Sequence, residues 1–191
     1  MTGTRCWGGW LAIVGAFSFC SIVIALHFLQ PDYDARYQLM SELALGRHGW
    51  AMLPAFCCFA LSIIGLQVEV RRFRASGLLK AMLLGAAVAL VGAGIFRLGQ
   101  ATELHVGLVA FAFVLLILAI YLFPSQVGGL AWRPLRAVCW LLAASAAVSV
   151  ALGQSLLPMG IAQRFAVTSV LVWLCLMGWI LLRRAPGMVR S

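Results

Sequence analysis

Six stretches of about 20 residues run through this sequence with hardly a charge in them. They cover roughly Gly9–Leu29, Trp50–Val68, Gly77–Leu98, Leu104–Phe123, Ala137–Leu157 and Phe165–Leu182. At about 1.5 Å of rise per residue, each makes a helix that matches a hydrocarbon core of about 30 Å. A chain in lipid must satisfy its own backbone donors and acceptors, which leaves only helices and closed barrels. Barrel strands alternate apolar and polar residues, whereas these runs are continuous. The sequence therefore predicts an all-α, polytopic membrane protein: a single six-transmembrane-helix bundle over residues 1–191, with nothing left over for a soluble domain. Composition agrees. The chain is 64% hydrophobic and 10% charged, far from the roughly one-quarter charged content of soluble domains. A soluble globular fold, a disordered chain and a coiled coil are excluded. The first run is too long for a signal-peptide core and lacks a convincing A-x-A cleavage site, so it is expected to be a retained helix.

Charge sets the expected orientation. The termini and the second and fourth loops carry Arg5, Arg71, Arg72, Arg74, Lys80, Arg133, Arg136, Arg183, Arg184 and Arg190. The first, third and fifth loops carry only Arg36, Arg47, Arg97 and Arg164. The positive-inside rule then places both termini in the cytoplasm of a bacterial inner membrane. The net charge of +9 reads as topology signal and contact with anionic membrane lipids rather than as a nucleic-acid surface. Asp32, Asp34, Glu42, Glu103 and all three histidines fall at the outer side, which is chemically mixed. The inner side is almost purely basic, with Glu69 its one acid.

Small residues let membrane helices approach closely. Gly85, Ala89 and Ala93 in the third run, and Ala143, Ala147 and Ala151 in the fifth, predict that these two helices lie inside the bundle. The fourth and sixth runs are bulkier, with Phe111, Phe113, Trp173 and Trp179, and are expected to face lipid. Trp7, Trp10, Trp50, Trp132 and Trp140 sit near run ends, where indole rings favour the interface. The six cysteines show no metal-ligand spacing and read as small apolar residues.

The first outer loop, residues 30–50, is the longest polar stretch. Pro31 and Asp32 end the first helix. Ser41 is placed to cap a short amphipathic helix over Glu42–Leu45, and Gly46 to end it. Such a piece would lie along the membrane surface or tuck into the mouth of the bundle. The run His27-Phe-Leu-Gln-Pro-Asp-Tyr-Asp34, followed by Ser41-Glu-Leu-Ala-Leu-Gly46 and Gly49-Trp-Ala-Met52, resembles the opening of the bacterial and archaeal "domain of unknown function 998" family. Glu103-Leu-His105 and Gln163-Arg164 are similar to it as well. The resemblance spans almost the whole chain. It implies a compact multi-span membrane protein and no established activity.

The residues themselves point to a polar site at the outer leaflet. His27, Asp32, Asp34, Glu42, Arg97, Glu103, His105, Gln154 and Arg164 gather at predicted membrane borders, where ionisable groups need partners or a wet cavity. One reading has them pair with one another and pin the loops; in particular, Arg97 is expected to contact a carboxylate, with Gln154 or Arg164 in the same cluster. The other has them line a ligand pocket, and both can hold together. Three functions compete. The first is a binding or accessory protein for a lipid, a quinone or another amphiphile, with Arg97 and Arg164 on anionic oxygens; it would work with membrane lipids, a protein partner or a second copy of itself. The second is a metal-dependent hydrolase using His27, His48 and His105, with Ser41 or a water nearby. The third is a haem or quinone redox protein with His27 and His105 as axial ligands. No charge falls at mid-span and no phosphate-binding loop is present, which argues against a primary transporter and a nucleotide enzyme. No cofactor is singled out.

Overall fold

The computed structural model describes residues 7–72, 75–127, 135–153 and 155–183, and these residues form helices joined by turns and short irregular stretches. The α-helices are α1 (Trp7–Leu29), α2 (Met52–Arg72), α3 (Gly77–Ile95), α4 (Thr102–Gln126), α5 (Arg136–Leu152) and α6 (Met159–Arg183). Two 3₁₀ turns, Met40–Leu45 and Gly49–Ala51, lie between α1 and α2. Five of the helices are long and apolar enough to cross a membrane, and α5 is a shorter apolar helix. With 17 residues, α5 is about 26 Å long.

Two boundaries move furthest from where hydropathy put them. The fifth helix stops at Leu152 instead of Leu157, and the sixth starts at Met159 instead of Phe165. Pro158 is the reason. It cannot donate a backbone hydrogen bond, so a helix starts well just after it, and its carbonyl accepts from Ala162 N–H at 3.0 Å. Gln163 and Arg164 therefore belong to the opening turns of α6 and not to a loop.

The interior is also distributed differently. α6 packs against α1, α2, α4 and α5, and Trp173, Leu174 and Met177 are fully buried. The bulky sixth helix thus lies in the core, not against lipid. α5 contacts α4 and α6 alone among the helices, and Ala147 and Ala151 of its small-residue stripe are exposed. Its buried face is Cys139, Ala143, Ala146 and Ser149 instead. The small residues of α3 do turn inward at Ala89 and Ala93. The five described cysteines are free. Trp7, Trp10, Trp50 and Trp140 are exposed near helix ends, and Trp132 lies outside the described residues.

The tightest seam joins α1 to α2. A Cβ on Gly65 would stand 2.5 Å from both Ala12 N and Gly8 O, and one on Gly15 would stand 2.6 Å from Cys58 O. Only hydrogen fits between these backbones, the close approach that small residues provide in membrane bundles. Ser62 donates across the seam to Ala12 O at 2.5 Å. At its end Glu69, 1% exposed, accepts from Gly8 N–H at 2.9 Å. A carboxylate is well placed there, because the first-turn N–H groups of a helix lack intrahelical partners and carry partial positive charge.

Candidate functional site

The opposite end of the bundle gathers the C-termini of α1, α3 and α5 and the N-termini of α2, α4 and α6. The first long loop folds down onto α6 there. Ile161 N–H donates to Arg36 O at 3.1 Å, and Met40 N–H donates to Gln163 Oε1 at 2.6 Å. A Cβ on Gly160 would meet three loop carbonyls, those of Gln38, Ala35 and Arg36, at 2.5, 2.6 and 2.7 Å. Loop carbonyls thus crowd the positive end of α6 in place of an anion.

Arg164 locks this arrangement. Its Nη1 donates to Gln38 O at 3.1 Å and to Gly160 O at 2.8 Å. Its Nη2 donates to the Tyr33 hydroxyl at 2.6 Å and to His27 Nε2 at 3.0 Å. A guanidinium only donates, so His27 Nε2 is an acceptor and its proton sits on Nδ1. Nδ1 in turn donates to Val23 O at 2.6 Å. The Tyr33 hydroxyl lies 2.9 Å from Leu39 O and 3.1 Å from Gln38 O. Its ring meets His27 edge-on at 5.0 Å. Burial pushes the Tyr33 phenol above its ordinary pKa, and the nearby Arg164 charge pulls it back only in part. The phenol keeps its proton and bridges cation and loop.

Beside this clamp a cavity of about 260 Å³ lies between α4, α5, α6 and the Met40–Leu45 turn. Its lining runs along α4 from His105 to Ile117, about 18 Å of helix. Val106, Ala110 and Val114 of α4 and Val150 of α5 line it and are exposed, so the cavity opens through the side wall of the bundle. Its polar groups are Ser41, His105, Ser149 and Gln163, all toward the loop end; the remainder is apolar, with Val109, Phe113 and Ile117 deeper along α4. His105 is 2% exposed. Its Nδ1 lies 2.8 Å from Ala93 O and 3.0 Å from Phe96 O, so it donates to carbonyls at the end of α3. Its Nε2 is buried without a hydrogen-bond partner.

The residues singled out in the sequence fall into three groups. His27 and Arg164 meet in the clamp, and His105 lines the cavity. Glu42 accepts from Leu39 N–H at 2.9 Å and from Gln38 Nε2 at 3.3 Å, and so holds the start of the Met40–Leu45 turn. That role had been expected of Ser41, which is instead buried inside the turn. Asp34 accepts from Arg36 N–H at 2.8 Å and is exposed, as are Asp32 and Glu103. Gln154 lies outside the described residues. Arg97 was expected to find a carboxylate, but its side chain has no hydrogen bond or ion pair among the described residues. Asp32, Asp34, Glu42 and Glu103 form no ion pair among them either. The loops are pinned by neutral acceptors around one cation, because the long loop brings carbonyls rather than carboxylates to Arg164.

The metal and haem readings find no support in this geometry. Among the described residues no three His, Cys, Asp or Glu side chains gather to hold a metal. Both ring nitrogens of His27 are engaged, which removes the lone pair an iron would need. Sequence reasoning missed Tyr33, Gln38, Gly160 and Ser149. Tyr33 carried a signal in its place within the run that bears the family resemblance, and Gly160 in its place just after Pro158 in the first turn of a helix.

The stretches that carried the family resemblance converge here: His27 and Tyr33 from the first, Ser41 from the second, His105 and Gln163-Arg164 from the later ones. No curated protein and no solved structure matches the chain. A family model described as "Protein of unknown function (DUF998)" matches residues 13–180, and the chain belongs to that family.

Proposed function

We propose that this protein is a six-span bacterial inner-membrane protein with both termini in the cytoplasm, and that it binds an amphiphile in the outer leaflet without catalysing a reaction on it. The binding serves either the protein alone or a partner subunit beside it. The reading rests on one observation: the cavity is graded, with polar groups at the loop end and an apolar remainder, and it opens sideways. Its length of about 18 Å is close to the thickness of one leaflet, half of about 30 Å. An acyl or isoprenoid chain enters such a slot from the bilayer with its head at the interface. The slot is mostly apolar with a few convergent polar groups, the usual chemistry of small-molecule sites. Arg164 and Arg97 are not the ligand's contacts in this reading; Arg164 holds the wall in place.

Native mass spectrometry of the protein extracted in mild detergent tests the proposal. We expect one retained amphiphile per chain, lost in Ala110→Trp, which places an indole at the exposed mouth. Equal retention by both proteins would overturn it. For the orientation, a C-terminal reporter active only outside the cytoplasm should be silent, and an active one would reverse the topology.

A further inference from the structure

Taking the slot as an amphiphile site, we infer that its polar end receives a neutral head group bearing a hydroxyl, of the long-chain alcohol or acylglycerol class. The argument starts at His105. Both groups facing Nδ1 are carbonyl oxygens, so Nδ1 carries the proton. In the neutral ring this leaves a bare lone pair on Nε2. That atom is unpartnered and buried, on a side chain that lines the slot, so a head group meets it through a small side-chain adjustment of the lining, of the kind common on binding. It calls for a donor. Gln163 lines the same end with its Oε1 already taken by Met40 N–H, which leaves its NH₂ to donate. Ser41, 4% exposed, adds a hydroxyl that both donates and accepts. A ligand hydroxyl satisfies both demands at once: it gives its hydrogen to Nε2 and accepts from Gln163 or Ser41.

Other head groups fail one demand or the other. An ether or ester has no hydrogen to give, so Nε2 stays unsatisfied on binding. A phosphate or carboxylate would bring a charge against a lining that contains no cationic side chain, and burying an unpaired charge is costly. Arg164 does not change this, since its terminal nitrogens are committed to Gln38, Gly160, Tyr33 and His27.

The test uses the full chain in phosphatidylcholine nanodiscs with a diazirine-bearing hexadecanol as photoprobe. Labelling of α4, α5 or α6 peptides, abolished by Ala110→Trp, establishes the slot as the site. Competitors of equal chain length then read the head group: tetradecanol, tetradecyl methyl ether and myristate. We expect tetradecanol to compete about tenfold better than the ether, the effect of leaving one buried acceptor unpaired, and better than myristate. In His105→Asn, which keeps an N–H near Nδ1 and has no atom at Nε2, alcohol and ether should compete equally. Equal competition in the wild type, or preference for myristate, overturns the hydroxyl assignment while leaving the amphiphile site standing. Absence of labelling in the slot overturns both. If His105→Asn fails to fold, the wild-type order alone decides.

Discussion

The α1–α2 seam and the α4–α5–α6 wall are built from the same apolar alphabet and reach opposite results. In the seam, Gly8, Gly15 and Gly65 let backbones touch, Ser62 bonds across, and Glu69 closes the end on Gly8 N–H. In the wall, Val106, Val109, Phe113 and Val114 stand where the seam has glycines, and α5 is too short and peripheral to cover them. A cavity results, lined in part by His105, whose Nε2 is buried and unpartnered. Where side chains are absent the helices have no room to part. Where they are bulky and the neighbour is short, space is left, and the polar groups that face it define a site. The contrast is one of packing: backbones close on each other in one half, and the other half holds the space in which the proposed binding would occur.

The largest effect that would break this contrast is overpacking of the seam. Gly65→Leu forces a side chain into backbone atoms at 2.5 Å and should cost about 3 kcal/mol or more. Ala110→Trp, at the exposed mouth of the cavity, should leave stability within about 0.5 kcal/mol. Unfolding midpoints in the same detergent measure both. Comparable losses in the two variants would show that the wall is as tightly built as the seam.

Next comes the clamp. Arg164→Ala strands the acceptors of Gln38, Gly160, Tyr33 and His27 at the loop end, at a cost of about 2–3 kcal/mol. The loss should be local. Hydrogen exchange over residues 31–47 should quicken, while amides of the α1–α2 seam stay protected. Arg164→Lys keeps the charge but not the planar fork, so it should recover only part of the protection. Uniform exchange along the whole chain would mean that the two halves unfold as one.

A smaller, pH-dependent effect follows from Tyr33. The folded protein holds this phenol's pKa above its unfolded value, mainly through burial. The protonated phenol therefore favours the folded loop. That contribution is whole below about pH 10 and is lost as the pH rises through the folded value. Exchange or protease cleavage of residues 31–47 should accelerate above pH 10 in the wild type. In Tyr33→Phe it should be faster at neutral pH and lack the alkaline step. An identical pH profile in the two proteins would remove Tyr33 from the clamp.

What could be read from the sequence followed from hydropathy and helix length. The helical class and the positions of α1 to α4 rest on long apolar runs, which report burial away from water however the helices pack. Packing partners were less legible, since Ala147 and Trp173 both sit in apolar runs and only the neighbouring surface decides which is buried. The site was half legible. His27, His105 and Arg164 stood out as ionisable groups at apolar borders, a costly placement that calls for partners. Their partners did not, because Arg164 chose backbone carbonyls and a phenol, and every residue carries a carbonyl. The same blindness applies to the bond that Glu69 accepts from a backbone N–H sixty-one positions away.

The smallest effect concerns Arg97, the residue that sequence reasoning placed at the centre of the site. It follows the C-terminal end of α3, where its carbonyl accepts from Gln100 and Ala101 N–H at 3.1 and 3.0 Å. Those bonds shape a turn completed by Gly99 at φ +87°, a left-handed conformation that glycine adopts without strain. Both contacts are made by the main chain, so Ala at this position keeps them. The side chain is half-exposed and has no acid partner among the described residues, so removing it strands no buried charge. Arg97→Ala should therefore shift stability by no more than about 0.5 kcal/mol, well below Arg164→Ala, when both are measured by thermal unfolding in the same micelles. Amphiphile retention by native mass spectrometry should be unchanged, because Arg97 does not line the cavity. A loss at Arg97 equal to that at Arg164 would mean that the cation of this end is shared between two centres, and the single clamp would have to be redrawn.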